Sequence, residues 1–81
     1  MKKYVLCSVV ESDICTPQFF DTYEEAYAKM KAEYEETIGM SIDDEEYEED
    51  PYEQKICERI AYCVSANHDN CNWAIFEVEV K

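Results

Sequence analysis

The apolar positions of the chain fall into two periods. Lys3–Glu11 (KYVLCSVVE) is short and rich in β-branched residues, which predicts a first strand. Ser12–Gln18 (SDICTPQ), punctuated by Pro17, predicts a turn-forming connection. Tyr23, Ala26, Tyr27, Met30, Tyr34 and Ile38 then recur at spacings of three and four, which places them on one stripe of an amphipathic helix. Asp21 or Thr22 is placed to cap its start, with Glu24 or Glu25 three residues on to complete a capping box. Gly39 is its natural stop.

The pattern past Ser41 is less decisive. Ser41 with Asp44 forms a capping signal for a short helix. Asp50-Pro51-Tyr52-Glu53 is another helix-start signal, and it predicts a short helix near 51–57. A strand is expected from about 58 to 65, a turn at Asn67-His68-Asp69-Asn70 and a last strand over 72–80. Residues 58–80 thus read as a β-hairpin. In the last strand Ala74, Phe76, Val78 and Val80 point one way, and Ile75, Glu77 and Glu79 the other.

This order predicts an α+β fold: a three-stranded antiparallel sheet with one main amphipathic helix on one face, in the order β-α-(short α)-β-β. At 81 residues the chain is a single domain. The other sheet face is expected to carry Tyr4, Tyr62, Trp73 and Ile75 among polar residues. It is a docking or dimer surface unless the acidic segment or the short helix folds across it.

Charge changes the picture most. Twenty acidic residues against seven basic ones give a formal net charge of −13. Such a surface repels nucleic acid and anionic membranes and attracts basic partners. Eleven of the twenty acids lie between Glu33 and Glu53, with no Lys or Arg from residue 32 to 54. The segment 40–53 is the acidic part of the domain, its sequence consistent with either a mobile or an ordered stretch, and it concentrates Asp43, Asp44, Glu45, Glu46, Glu48, Glu49 and Asp50 around Tyr47, with Tyr52 just past the carboxylates. A charge run is commonly a solvated loop. Read functionally, this one imitates a phosphate backbone, with Tyr34, Tyr47 and Tyr52 available to stack where bases stack. Surfaces that merely keep a protein soluble mix the two signs.

Metal and nucleophile chemistry find less support. Cys57, Cys63, His68 and Cys71 have the spacing C-x5-C-x4-H-x2-C, without the tight pairs usual for zinc, so buried apolar thiols are the simpler reading. The acidic run lacks the Gly turn and ligand alternation of a calcium loop. Cys15 is the most exposed thiol expected, but nothing basic lies near it to activate it. No cofactor or phosphate-loop motif occurs, so binding rather than catalysis is expected. Five Cys and an apolar start broken by Ser8 and Glu11 predict a cytoplasmic protein with reduced thiols.

Phe20–Tyr27 (FDTYEEAY) and Trp73–Val78 (WAIFEV) resemble segments of small uncharacterised proteins of phages and mobile elements in Gram-positive gut bacteria. The likeness covers the helix and the last strand. It implies a strand–helix–strand–strand protein from a prophage-like setting, where small acidic proteins include inhibitors of host defence. No residue role carries over from it. The expected function is therefore an acidic module that occupies a basic, nucleic-acid-binding surface of a partner protein, in its sharpest form an anti-CRISPR-like inhibitor of a defence nuclease. The alternatives are a peptide- or small-ligand-binding module or homodimer that uses the open sheet face, and a zinc-stapled hairpin.

Overall fold

A computed structural model describes residues 2–10, 13–50, 52–64 and 69–80. The order is β1 (Lys2–Val10), β2 (Asp13–Ile14), β3 (Gln18–Phe20), α1 (Tyr23–Ile38), β4 (Lys55–Ile56), β5 (Ile60–Val64) and β6 (Asn70–Glu79). The α+β class and the three long strands match expectation, but the sheet has six strands rather than three. Across it the order is β2-β1-β6-β5-β4, with β3 also on β1, and every pairing is antiparallel.

The extra strands come from segments whose turn and helix signals concealed short pairings. From Asp13 onward the expected connection and the residues after it fold back along the outer edge of β1, so that Ile14 pairs with Val9 and Phe19 with Val5. The short helix expected near 51–57 does not form. Asp50 instead closes a turn: its Oδ1 accepts from the Tyr52 N–H at 2.8 Å, and its backbone pairs with Gln54. Pairing Ile56 with Ala61 buries the isoleucine in the sheet, which outweighs the helix-start signal. At Ser41 the same competition yields turns, with the Asp44 N–H donating to the Ser41 carbonyl at 3.1 Å.

The helix follows its sequence signals. Thr22 is the N-cap, and its hydroxyl accepts from the Glu25 N–H at 3.2 Å. Gly39 ends the helix with φ 80°, a left-handed conformation that costs a residue with a Cβ. Ala26, Met30 and Tyr34 are buried on the expected stripe, with Tyr23, Tyr27 and Ile38 packed beside them.

This stripe covers Leu6, Ala61, Cys63, Cys71, Trp73 and Ile75. The sequence reading put Trp73, Ile75 and Tyr4 on the open face; they lie beneath or beside the helix, and only Tyr62 is on the far side. The reason is register: Trp73 pairs with Ser8 and Ala61, and Ile75 with Leu6, so the bulkiest ring rests among smaller neighbours against Tyr34. The half-buried Glu33 carboxylate locks that packing by accepting from Trp73 Nε1 at 3.3 Å and from Gln18 Nε2 at 3.1 Å. The Ala74, Phe76 and Val78 side of β6 is consequently left on the open face.

Candidate functional site

The acidic segment is built as a series of turns fastened to the helix. Ile42 and Tyr47 pack against the core from its inner side. The Ile42 N–H donates to Glu35 Oε2 at 2.8 Å, and Glu46 N–H donates to Asp44 Oδ1 at 2.9 Å. Gln54 Nε2 donates to the Glu48 carbonyl at 2.8 Å. The strongest anchor is Tyr47, whose hydroxyl lies 2.7 Å from that of the fully buried Tyr34, with the rings edge to face. Burial pushes the Tyr34 hydroxyl well above its ordinary pKa, and its bond to Tyr47 adds to the rise. Tyr47 is raised too, by burial first, with that same bond pulling the other way.

With its apolar residues turned inward, the segment turns its acids outward. Asp43, Asp44, Glu45, Glu46, Glu48 and Glu49 are exposed, and Asp50 is half-buried. Among the described residues, the only basic side chain within ion-pair distance of this run is Lys31, 3.4 Å from Asp43. The run follows the C-terminal end of α1, which carries Glu35 and Glu36 and has no basic residue in its last turn. A helix C-terminus already bears partial negative charge, so these acids reinforce rather than offset it.

Two of the three tyrosines expected to stack are engaged elsewhere. Tyr34 is buried and Tyr47 is half-buried against it, while Tyr52 is 92% exposed. The chain thus spends Tyr34 and Tyr47 on holding the carboxylates in place, and Tyr52 alone offers a free ring beside them.

The second candidate is the open sheet face, which the acidic segment does not cover. Strand registers arrange it in cross-strand rows. Phe19, Val5 and Phe76 form one, Cys7, Ala74 and Ile60 the next, and Ile14, Val9, Asn72 and Tyr62 a third. Cys7 and Ala74, the small residues of the middle row, help line a groove of about 310 Å³ whose lining also includes Ile14, Pro17 and Phe76. Phe19, Phe76 and Ile14 on this face were not expected as site residues. The alternation of Ala74, Phe76 and Val78 was visible, but it matches a core face equally well.

All five cysteines are free thiols. Cys63 and Cys71 sit opposite each other across β5 and β6, both buried, and Cys57 follows β4. Burial pushes the Cys63 thiol up to about 12, away from the thiolate that zinc requires. His68 lies outside the described residues, and among those described no group of three or more His, Cys, Asp or Glu is gathered for a metal. No described helix is long and apolar enough to cross a membrane.

Comparison with known proteins finds no matching family model, no similar curated protein and no similar solved structure.

Proposed function

We propose that this protein acts by binding: the carboxylates of Asp43, Asp44, Glu45, Glu46, Glu48, Glu49 and Asp50 occupy a basic, nucleic-acid-binding surface of a partner protein. One observation carries the reading. The acids form an array fixed by Tyr47, Ile42 and Gln54, in which Lys31 is the only basic side chain within ion-pair distance among the described residues. Like charges held together in this way oppose folding, and Glu35 and Glu36 in the last turn of the helix add about 0.3–1 kcal/mol each. Such a conflict is expected at functional sites. An ordered array also loses less conformational entropy on docking than a floppy tail.

In this mechanism net charge speeds the encounter with a basic surface, and contacts made after desolvation set the lifetime of the complex. Tyr52 is the aromatic contact at the edge of the array. An inhibitor of a nucleic-acid enzyme, anti-CRISPR-like in type, is the sharpest form of the proposal. The test is competition: a basic protein held by this chain at low salt is released by added DNA or RNA. A partner that ignores the competitor contradicts mimicry.

A second reading uses the open sheet face in place of the carboxylates. Its groove, bordered by Phe76 and Ile14, matches an apolar side chain presented by a peptide, a small ligand or a second copy of the chain.

A further inference from the structure

Although the chain has 20 acids, no paired strand position on the open face carries Asp or Glu, and its only charged positions are Lys3 and Lys55. Of the seven large apolar residues exposed among those described, Ile14, Phe19, Ile60, Val64 and Phe76 lie on this face, and Val80 continues its alternation. Monomers rarely leave a contiguous apolar patch this acid-free on so charged a molecule. The acids at paired strand positions, Asp13, Glu77 and Glu79, alternate onto the other face, so the apolar centre of this one carries no negative charge of its own, as the core of an interface does.

We infer that this face packs against the same face of a second copy, forming a two-layer sandwich about a twofold axis. The surface is self-complementary. Phe76, 54% exposed, is a ridge, and the small Cys7–Ala74 row beside it is the floor of the groove. A twofold axis lying between the faces and crossing β6 near Ile75 sets Phe76 of each copy over the Cys7–Ala74 floor of the other. Two sheets then stand about 10 Å apart, the spacing of a β-sandwich.

Area agrees with this occupant. At the usual strand spacing and rise, the strands of the face span roughly 500 Å² before side-chain relief is counted, which the relief of Phe76, Phe19 and Ile14 raises toward the ~800 Å² per partner of a stable interface. Edge-to-edge pairing is a poor competitor, because the outer strands β2 and β4 have two residues each and β3 has three. This dimer rests on the second reading of the open face, to which it gives one occupant and a symmetry, and it uses the side of the sheet opposite the carboxylate array.

The two interactions respond to salt in opposite directions. Each copy carries −13, so association must overcome the mutual repulsion of the two copies, and screening relieves it. Sedimentation equilibrium of the full chain is expected to show a monomer–dimer equilibrium. Its dissociation constant falls about tenfold as salt rises from low levels to about 0.5 M, where the Debye length is near 4 Å. Phe76→Glu is expected to stay monomeric at every salt with an unchanged far-UV circular dichroism spectrum. Ala74→Leu, which fills the groove without adding charge, is expected to weaken the dimer also if Phe76→Glu fails to fold. A wild-type chain that remains monomeric at high salt overturns the inference, even if it binds an apolar peptide. So does a dimer that survives both substitutions. Neither result touches the carboxylate array, whose binding weakens with salt.

Discussion

The hydroxyls of Tyr34 and Tyr47 lie 2.7 Å apart, and this contact joins the buried centre of the helix to the middle of the acidic segment. Tyr34 also meets Trp73 edge to face, so one ring connects the sheet, the helix and the carboxylate array. Removing the Tyr47 hydroxyl (Tyr47→Phe) leaves a buried phenol unpartnered and is expected to cost about 1 kcal/mol. Tyr47→Ala also removes the ring. It is expected to release the segment, so that a protease specific for glutamate cuts at Glu45–Glu49 much faster than in the wild type. Urea melts and a timed digest check the two effects; equal digestion rates would show that Tyr47 is not the anchor.

Alkaline pH tests the buried hydroxyls and thiol together. Cys63 is raised to about 12, and Tyr34, Tyr47 and Tyr23 are raised as well, all mainly by burial. Each group then holds its proton in the folded chain at a pH where the unfolded chain has released it. Their contribution is full below the unfolded pKa and is lost as pH rises toward the folded one. Stability is therefore expected to hold to about pH 9 and to fall from there toward about pH 12. Denaturant midpoints across that range, read beside tyrosinate absorbance, check it; a stability that rises over the same window would contradict the burial.

Glu33 is a half-buried carboxylate facing three donors: Trp73 Nε1, Gln18 Nε2 and Lys29 Nζ at 3.8 Å. Glu33→Ala is expected to destabilise by about 1–2 kcal/mol and to shift Trp73 fluorescence, because the indole N–H loses its acceptor. Glu33→Gln keeps an acceptor oxygen and is expected to recover part of the loss. Thermal melts of both variants decide this, and equal losses would show that the hydrogen bonds do not matter.

Ser8 presents the opposite case. Its hydroxyl is buried beside Trp73 in the sheet register and has no hydrogen-bond partner among the described residues. Ser8→Ala removes an unsatisfied group and is expected to be neutral or to stabilise by up to about 1 kcal/mol. A clear loss of stability in a urea melt would mean that the hydroxyl has found a partner in solution.

Much of the fold was legible because local signals and burial agree. Thr22, the apolar stripe from Tyr23 to Ile38 and Gly39 each favour the helix independently. Where they conflict, the sequence misleads: Asp50 and Pro51 signal a helix start, while Ile56 gains more by pairing with Ala61. The side on which β6 is buried was not legible, since Trp73 and Ile75 alternate with Ala74 and Phe76, and both sets are apolar. Register against β1 decides between them, and register is a long-range property. The acidic run was legible as charge. That Tyr34 and Tyr47 fasten it was not, because the pairing depends on where the turns at 41–47 bring the chain back to the helix.

The most direct measurement is capture from a bacterial lysate by the wild-type chain and, in parallel, by a variant carrying Asp44→Asn, Glu45→Gln, Glu46→Gln and Glu48→Gln. Each is run at low and high salt, with bound proteins quantified by mass spectrometry. These side chains are exposed, so circular dichroism of the variant is expected to match the wild type. The predicted result is a basic nucleic-acid-binding protein enriched by the wild type at low salt, lost at high salt and lost with the variant. Equal capture by both chains, or no such protein at low salt, would contradict the account.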